Sequence, residues 1–286
     1  MQREWRVCYN WIMKKLLLVD GHNLLFRMFF GMPFPFYNDN NVNITGTVGF
    51  VGTVVKMIKY LNVDECLVVF DGESSRSVRE DVDYKANRPD YGTLSDEENP
   101  FTQLTFIKAV LDYLNIKWIE TERIECDDYI AIISKKYDGE VFISSTDTDF
   151  YQLINGRVKV IKFKGKNTEF IDEKFIYEKF SVLPTDFTLY KAIIGDAADN
   201  IKGIHKVGPK TAVKIINALK NNITDKFLEI YTSNLETIKR NLNLIELPNS
   251  SIDINKYELE NYEVVSASFV NFKNLQIVTE LTNKIK

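Results

Sequence analysis

The sequence has few of the residues that build a disulfide framework or a zinc site. Its 286 residues contain three cysteines, Cys8, Cys66 and Cys126, and only two histidines. The cysteines show no paired spacing and one must remain unpaired, which favours a protein of the reducing cytoplasm. So small a number of histidines and scattered cysteines also argues against a structural zinc site.

A long hydrophobic run is also missing. No apolar stretch approaches the roughly eighteen residues that a membrane-spanning helix needs. The N-terminus does not resemble a signal peptide, because Asp20 ends the short apolar run that follows Lys15. Met13 is an alternative start before the first predicted strand, which leaves residues 1–12 as an extension without an assigned role.

A positive net charge, the usual mark of a nucleic-acid-binding protein, is absent as well. The sequence has 36 basic and 40 acidic side chains and a formal net charge of −4, which by itself argues against nucleic-acid binding. The cations are nevertheless clustered. Residues 157–166 contain five cations and no acid, and residues 201–220 contain five lysines and no acid. Because a local site depends on charge distribution, binding of a polyanion remains open.

Several short apolar segments that end in an acid alternate with helix-like segments. KLLLVD ends at Asp20, CLVVFD at Asp71, and VFISSTDTD at Asp147 and Asp149. These segments lack polar alternation, which is typical of parallel strands buried on both faces. The segment 116–119 is a further candidate strand. Residues 48–61, 101–114 and 129–137 have helical spacing. This order predicts an α/β fold with a mostly parallel central sheet flanked by helices.

The rest of the chain is organised differently. Residues 73–100 are polar and lack hydrophobic periodicity, which for so long a connection indicates a functional or disordered loop. From about residue 171 the pattern becomes helical. We therefore predict a core over residues 14–170 and a smaller, mainly helical region over residues 171–286.

Nine carboxylates are predicted to converge on one edge of the sheet. Parallel strands end at the same edge, where open α/β sheets bind their ligands. The segment ECDD and the acids of GDAADN add to those at the strand ends. The full set is Asp20, Asp71, Glu125, Asp127, Asp128, Asp147, Asp149, Asp196 and Asp199.

Such a cluster is typical of a metal centre. Crowded carboxylates repel one another and take up protons or cations. Aspartates without a histidine or cysteine set favour magnesium or manganese. Two such ions about 4 Å apart are the common arrangement for phosphodiester hydrolysis. Each acid taken alone also has a structural explanation as a helix cap or turn residue, so only the joint pattern carries the prediction.

Two groups of cations flank these acids. Tyr84, Lys85 and Arg88 would share one side of a helix, where the cations could contact phosphate and the tyrosine could stack on a base. A solvated loop is the alternative at that position. The stretch from Gly203 to Thr211 predicts a hairpin that opens a helix, an arrangement that grips a nucleic-acid backbone without reading its sequence.

At these positions the chain resembles the bacterial and phage 5′-nuclease, or flap endonuclease, family, which includes the 5′→3′ exonuclease domain of DNA polymerase I. Six blocks occur in the family's order over roughly residues 14 to 220. They are LLLVDGHNLLFRMFF (16–30), VVFDG (68–72), YKANRP (84–89), ECDDYIA (125–131), ISSTDTDFYQL (143–153) and GDAADNIKGIHKVGPKTA (195–212).

The resemblance implies a structure-specific nuclease that cuts 5′ ends and 5′ flaps of branched DNA, with RNA primers as a further substrate, in primer removal, replication or repair. It implies a PIN-like core and two Mg²⁺ or Mn²⁺ ions. The first five acids, from Asp20 to Asp128, would surround one ion, and the last four, from Asp147 to Asp199, would hold the other. No polymerase domain follows in this sequence, and we expect a stand-alone, monomeric nuclease.

The resemblance also assigns the flanking cations. Tyr84, Lys85 and Arg88 would lie at the base of a helical arch that admits the 5′ end. A helix–hairpin–helix motif over about residues 189–220 would bind duplex DNA, and the resemblance implies K⁺ at its turn. Its binding residues would be Gly203, Lys206, Gly208, Lys210 and Thr211.

Three positions depart from the family pattern. Cys126 stands where alanine is usual, and Lys206 stands where the hairpin commonly has a glycine. The basic residue upstream of Tyr84 is either Arg76 or Arg79, because the spacing is shorter than usual.

Three other functions are alternatives. A PIN-type ribonuclease would explain the strand-end acids but not the lysine-rich hairpin. A catalytically inactive protein that binds branched DNA is disfavoured because all nine acids are present. A phosphatase would need companion lysine and threonine motifs that have no match here.

Overall fold

The computed structural model describes residues 13–72, 79, 81–87, 91–95, 97–256 and 273–285. Its centre is a six-stranded sheet with five parallel strands and an antiparallel edge strand. The strands are β1 (Lys15–Asp20), β2 (Glu65–Asp71), β3 (Lys117–Thr121), β4 (Glu140–Ser144), β5 (Val158–Lys162) and β6 (Glu169–Ile171). Their order across the sheet is β3-β2-β1-β4-β5-β6, so the prediction of a mostly parallel α/β sheet is confirmed.

Both faces of this sheet are covered by apolar side chains. Successive residues of a strand point to opposite faces, and Leu16 and Leu18 of β1 belong to one hydrophobic cluster while Leu17 and Val19 belong to a second. All four are fully buried. This double burial is the physical reason why β1 has no polar alternation in its sequence.

Helices from different parts of the chain cover the two faces. The second cluster contains side chains of α1 (Gly21–Gly31), α2 (Thr45–Leu61) and α3 (Leu104–Tyr113). The first contains side chains of α4 (Cys126–Lys136), α5 (Glu173–Phe180), α6 (Pro184–Ile194), α7 (Pro209–Lys220) and α9 (Leu235–Ile245), with α8 (Lys226–Ser233) packed against it. The predicted helix over 101–114 is a 3₁₀ turn, Pro100–Gln103, followed by α3.

Some elements had no counterpart in the sequence prediction. The segment 157–166, noted only for its cations, contains β5, whose Val158, Val160 and Ile161 are buried. Helix α1 directly follows β1 without a separating loop. A short antiparallel pair, β7 (Gly195–Asp196) and β8 (Ile201–Lys202), separates α6 from α7.

The end of the described chain returns to its first half. Helix α10 (Lys273–Thr282) lies against α2 and α3, and Val278 is buried in the second cluster. The first cluster contains side chains from both sides of residue 170, and the domain boundary proposed there stays a prediction. Among the residues with described structure, no helix combines the length and apolarity needed to span a membrane.

Candidate active site

The acids that end β1 and β2, and one that follows β4, lie around a single cleft. β1 is the middle strand of these three, so their carboxyl ends reach the same edge of the sheet. The cleft has a volume of about 490 Å³. Its lining residues are Asp20, His22, Asn23, Phe26, Arg27, Asp71, Lys85, Tyr91, Asp127, Thr146 and Asp147.

Asp20 is the most buried acid of the cleft lining and caps the helix that follows it. Its Oδ1 accepts a hydrogen bond of 3.1 Å from the backbone N–H of Asn23, and its Oδ2 accepts one of 2.8 Å from Ser145 Oγ. Burial raises the pKa of Asp20 to about 6, opposed by these two hydrogen bonds and assisted by the charges of Asp71 and Asp147. In the ion-free protein, therefore, the negative charge of the Asp20 carboxylate is poorly compensated by its surroundings.

The negative charge of Asp71 is better compensated than that of Asp20. Its Oδ1 accepts a 2.7 Å hydrogen bond from the backbone N–H of Cys126, which joins the end of β2 to the start of α4. Nδ1 of His22 lies 3.4 Å from Oδ2. Burial acts to raise the pKa of Asp71, but these contacts and the charge of Lys85 outweigh it, so the pKa lies below its ordinary value.

Asp127 and Asp147 complete the acids of the cleft. Asp127 lies in the first turn of α4. Burial holds its pKa well above the usual range. The positive charge of Lys85 opposes this rise, and the negative charges of Asp147, Asp20 and Asp71 add to it. The Oδ1 of Asp147 accepts a 2.8 Å hydrogen bond from the backbone N–H of Asp149. Asp147 thus connects the cleft with a second group of acids.

That second group consists of Asp149, Asp196 and Asp199. Asp149 begins the 3₁₀ turn Asp149–Leu153, Asp196 belongs to β7, and Asp199 lies in the turn before β8. One carboxylate oxygen of each lies within 4.8 Å of the others, a spacing that can hold a metal ion. The acids expected at the second ion are therefore close together, except that Asp147 faces the cleft.

The sequence analysis did not identify Lys191, which lies among these three acids. Its ammonium contacts Oδ1 of Asp149 and lies 2.5 Å from Oδ2 of Asp196. Burial alone would lower the pKa of Lys191, but the charges of Asp149, Asp147 and Asp196 raise it above its ordinary value. Burial raises the pKa of Asp149 to about 7 even though Lys191 opposes the shift. The only signal in the sequence is a lysine within the apolar segment LYKAII.

The two remaining acids lie on another face of α4. Asp128 is fully buried and Glu125 is 4% exposed, and neither belongs to the cleft lining. Arg79 is between them, with Nη1 at 2.6 Å from Glu125 Oε2 and at 2.6 Å from Asp128 Oδ2. The structure thus places Arg79 beside the start of α4. Arg76, the other candidate for the upstream basic residue, lies outside the described residues.

Lys85 enters the cleft from a turn. Residues 82–87 form turns, and Lys85 has a φ of 56°, so the helix considered for Tyr84 and Lys85 is absent here. Lys85 Nζ bonds to Glu125 Oε1 at 2.9 Å, and the Tyr84 hydroxyl donates to Glu125 Oε2 at 3.1 Å. Arg88, expected beside them, lies outside the described residues.

The lysine-rich hairpin has close backbone packing that requires glycine. A Cβ on Gly203 would come within 2.2 Å of the backbone carbon of Ile194, and Gly195 has a φ of 82°. Gly208 is the N-cap of α7, and Pro209 opens that helix. Lys206 and Lys210 are exposed and Thr211 is half-buried. Lys206 adopts a φ of 60°, the left-handed conformation in which glycine is least strained.

Comparison with known proteins identifies relatives of this arrangement. The family model described as "5'-3' exonuclease, N-terminal resolvase-like domain" matches residues 15–181. The chain is 33% identical over 222 residues to a 5'-3' exonuclease of Aquifex aeolicus, covering 73% of each protein. It is 32% identical over 218 residues to the thermostable DNA polymerase I of Thermus thermophilus, covering 72% of this chain and 25% of the polymerase. The chain thus spans about a quarter of the length of that relative.

Solved structures share the fold. The bacteriophage T5 D15 flap endonuclease, in a pseudo-enzyme–product complex with DNA and metal ions, superimposes with a TM-score of 0.66 at 23% identity. The match covers 94% of this chain and 98% of the phage protein. At this identity the match describes the fold alone.

Proposed function

Because the chain belongs to the 5′-3′ exonuclease family, we propose that it is a structure-specific 5′-nuclease that hydrolyses phosphodiester bonds at 5′ ends and 5′ flaps of branched DNA. One observation carries this proposal. Four carboxylates and Lys85 line a single open cleft at the ends of parallel strands, where α/β sheets bind their ligands.

The chemistry of the donor set fits divalent cations. The acids of the cleft are Asp20, Asp71, Asp127 and Asp147, and burial raises the pKa of both Asp20 and Asp127. Carboxylate oxygens are the ligands that Mg²⁺ and Mn²⁺ prefer. We assign the first ion to these four residues.

A second ion would be held by Asp149, Asp196 and Asp199. It would take the position of the Lys191 ammonium, which now compensates the charge of Asp149 and Asp196. When bound, the two ions would supply an activated water and charge stabilisation of the phosphate.

The side chains around the cleft position the DNA. Lys85 is held by Glu125 at the cleft wall, where its charge can neutralise a phosphate oxygen. The Tyr84 ring lies beside the Lys85 ammonium at 4.7 Å and offers a surface for a base. Arg88 is proposed to bind the same phosphate region, as its place in YKANRP implies.

The hairpin is proposed to hold the duplex. Gly203 allows close backbone packing ahead of α7 and Gly208 is the N-cap of that helix, so that backbone N–H groups and the exposed Lys206 and Lys210 can face one strand. Thr211 lies in the first turn of α7. A K⁺ ion at this turn, a monomeric state and action on RNA primers belong to the same proposal. The buried free thiols of Cys66 and Cys126 support a reducing, cytoplasmic location.

The deciding experiment is incubation of a labelled 5′-flap duplex with Mg²⁺. We expect cleavage near the junction of single and double strand, none with EDTA, and none with Asp127→Asn. A flap of the same sequence made of RNA tests the ribonuclease alternative. If the wild-type protein binds the flap duplex but does not cut it in Mg²⁺, the proposal is contradicted.

A further inference from the structure

Asp128 differs from its neighbour Asp127 in its surroundings. It is fully buried, and three donor atoms contact its carboxylate. Oδ1 accepts from the backbone N–H of Asn249 at 2.7 Å and from Arg79 Nη2 at 3.1 Å, and Oδ2 accepts from Arg79 Nη1 at 2.6 Å. A planar guanidinium that bonds to both oxygens of a carboxylate is a geometrically specific pair.

Arg79 uses its remaining donors on two other parts of the chain. Nε donates to the carbonyl of Leu244 at 2.9 Å and Nη2 to that of Glu246 at 3.2 Å. Nη1 also bonds to Glu125. Arg79 is 5% exposed, so this cation and its two carboxylates form a buried, hydrogen-bonded unit in which removing one member leaves the others uncompensated.

Three segments of the chain meet at this unit. They are the segment 79–85 that carries Lys85 to the cleft, the start of α4, and the segment 244–249 at the end of α9. The last segment is itself fixed by Gln152, whose amide bonds to the carbonyl of Ile245 and to the N–H of Leu247, both at 2.9 Å. Hydrogen bonds thus hold this unit to the start of α4 and to the segment 244–249.

We propose that Asp128 and Arg79 are a positioning pair: Asp128 binds Arg79 and the backbone of Asn249 instead of a metal ion, and Arg79 fixes Glu125, which in turn bonds to Tyr84 and orients Lys85 at the cleft. This inference rests on the proposed nuclease function. It changes the expectation that Asp128 is a ligand of the first ion.

The neighbouring residue provides the matched control. Asp127 and Asp128 are adjacent, but only Asp127 lines the cleft. We compare Asp127→Asn with Asp128→Asn by calorimetric titration of Mn²⁺ into the protein without DNA. Asp127→Asn should weaken ion binding at least about tenfold, a loss that even outer ligand contacts can cause. Asp128→Asn should weaken ion binding clearly less than Asp127→Asn does, because the Asp128 carboxylate contacts Arg79 and the backbone of Asn249 and does not line the cleft.

A similar loss of ion affinity in both variants would make Asp128 a metal ligand and overturn the inference. If the wild-type protein binds no ion or cuts no flap, it is the proposed nuclease function that is contradicted. Failure of the proposed function is therefore distinguishable from failure of the positioning pair. Thermal unfolding shows whether each variant is folded.

Arg79→Lys tests the pair without relying on Asp128→Asn, because it keeps the charge and loses the two-pronged geometry. We expect kcat on the flap substrate to fall about 10- to 100-fold, as for a displaced catalytic group, with DNA Kd and Mn²⁺ affinity unchanged. A guanidinium salt, but not an ammonium salt of equal ionic strength, should restore part of the kcat of Arg79→Ala. Full kcat in Arg79→Lys would exclude a positioning role.

Discussion

Lys191 Nζ lies 2.5 Å from Oδ2 of Asp196 and also contacts Asp149, so a buried side-chain cation joins two members of the three-acid group. The proposed second ion and this ammonium would compensate the same carboxylates. Binding of the ion therefore includes the displacement of Lys191, which lowers the net affinity.

Replacing Lys191 by methionine should remove this competition. We expect the second Mn²⁺ to bind about tenfold more tightly, because a buried cation no longer has to be moved away from Asp149 and Asp196. Calorimetric titration of the DNA-free protein measures both stoichiometry and affinity. The control Lys191→Arg keeps the charge and should not gain affinity. An unchanged second-site affinity in Lys191→Met would show that the lysine does not compete.

The stability of the ion-free protein should depend on Asp20. Its pKa is about 6 in the folded protein and near 4 in the unfolded chain, so the folded state binds more protons between these values. Stability therefore falls as pH rises from about 4 to about 6. Two pH units correspond to about 3 kcal/mol, and Asp20→Asn should recover up to about 3 kcal/mol at pH 8, measured by urea unfolding in EDTA.

Asp71→Asn is the matched control for that measurement, with the opposite sign. The pKa of Asp71 lies below its ordinary value, so its charge contributes stability that is present at neutral pH and lost as pH falls. Asp71→Asn should lower stability at pH 8. If both variants change stability in the same direction, the hydrogen bonds and charges around Asp71 do not outweigh its burial.

Lys85→Ala should affect the rate more than DNA binding. Lys85 lines the cleft, and a charge aimed at developing phosphate charge contributes about 10²–10³-fold to kcat. Single-turnover cleavage of a 5′-flap duplex measures the rate, and fluorescence anisotropy in Ca²⁺ measures the affinity. The control Tyr84→Phe removes only the 3.1 Å hydrogen bond to Glu125. A change in Kd without a change in rate would limit Lys85 to DNA positioning.

Lys206→Gly should separate backbone strain from phosphate contact. The left-handed φ of 60° at Lys206 costs a residue with a side chain about 1–2 kcal/mol, so the glycine variant should be at least as stable as the wild-type protein. The affinity of this variant for duplex DNA should nevertheless fall, and the affinity should depend less on salt concentration, because the proposed contact of the Lys206 ammonium with the DNA phosphate backbone is lost.

Lys210→Ala is the comparison for that result, since Lys210 lies within α7 and not at a left-handed position. It should lose DNA affinity and salt dependence without a gain in stability. DNA affinity that is unaffected in both variants would contradict the role proposed for the hairpin.

The sequence was most informative where burial dictates residue type. Unalternating segments such as KLLLVD predicted buried parallel strands because both faces of β1 are covered. It was least informative at β5, where Lys159 and Lys162 obscure a strand whose alternate residues are buried. The turn at Lys85 was also unpredictable, because its φ of 56° is maintained by contacts that include the backbone bond from Lys85 N–H to the carbonyl of Asp199, far along the chain.

The sequence by itself determined the class of fold and the carboxylate chemistry, because strand periodicity and acid placement are local properties that can be read along the chain. Only the tertiary structure decided how those acids divide. It brought Asp20, Asp71, Asp127 and Asp147 to one cleft, paired Asp128 with Arg79, and inserted Lys191 between Asp149 and Asp196. The side chain carries the same carboxyl group in all these places. What differs is the group that folding brings next to it, such as Arg79 beside Asp128 or Lys191 beside Asp149, and that group comes from a distant part of the chain.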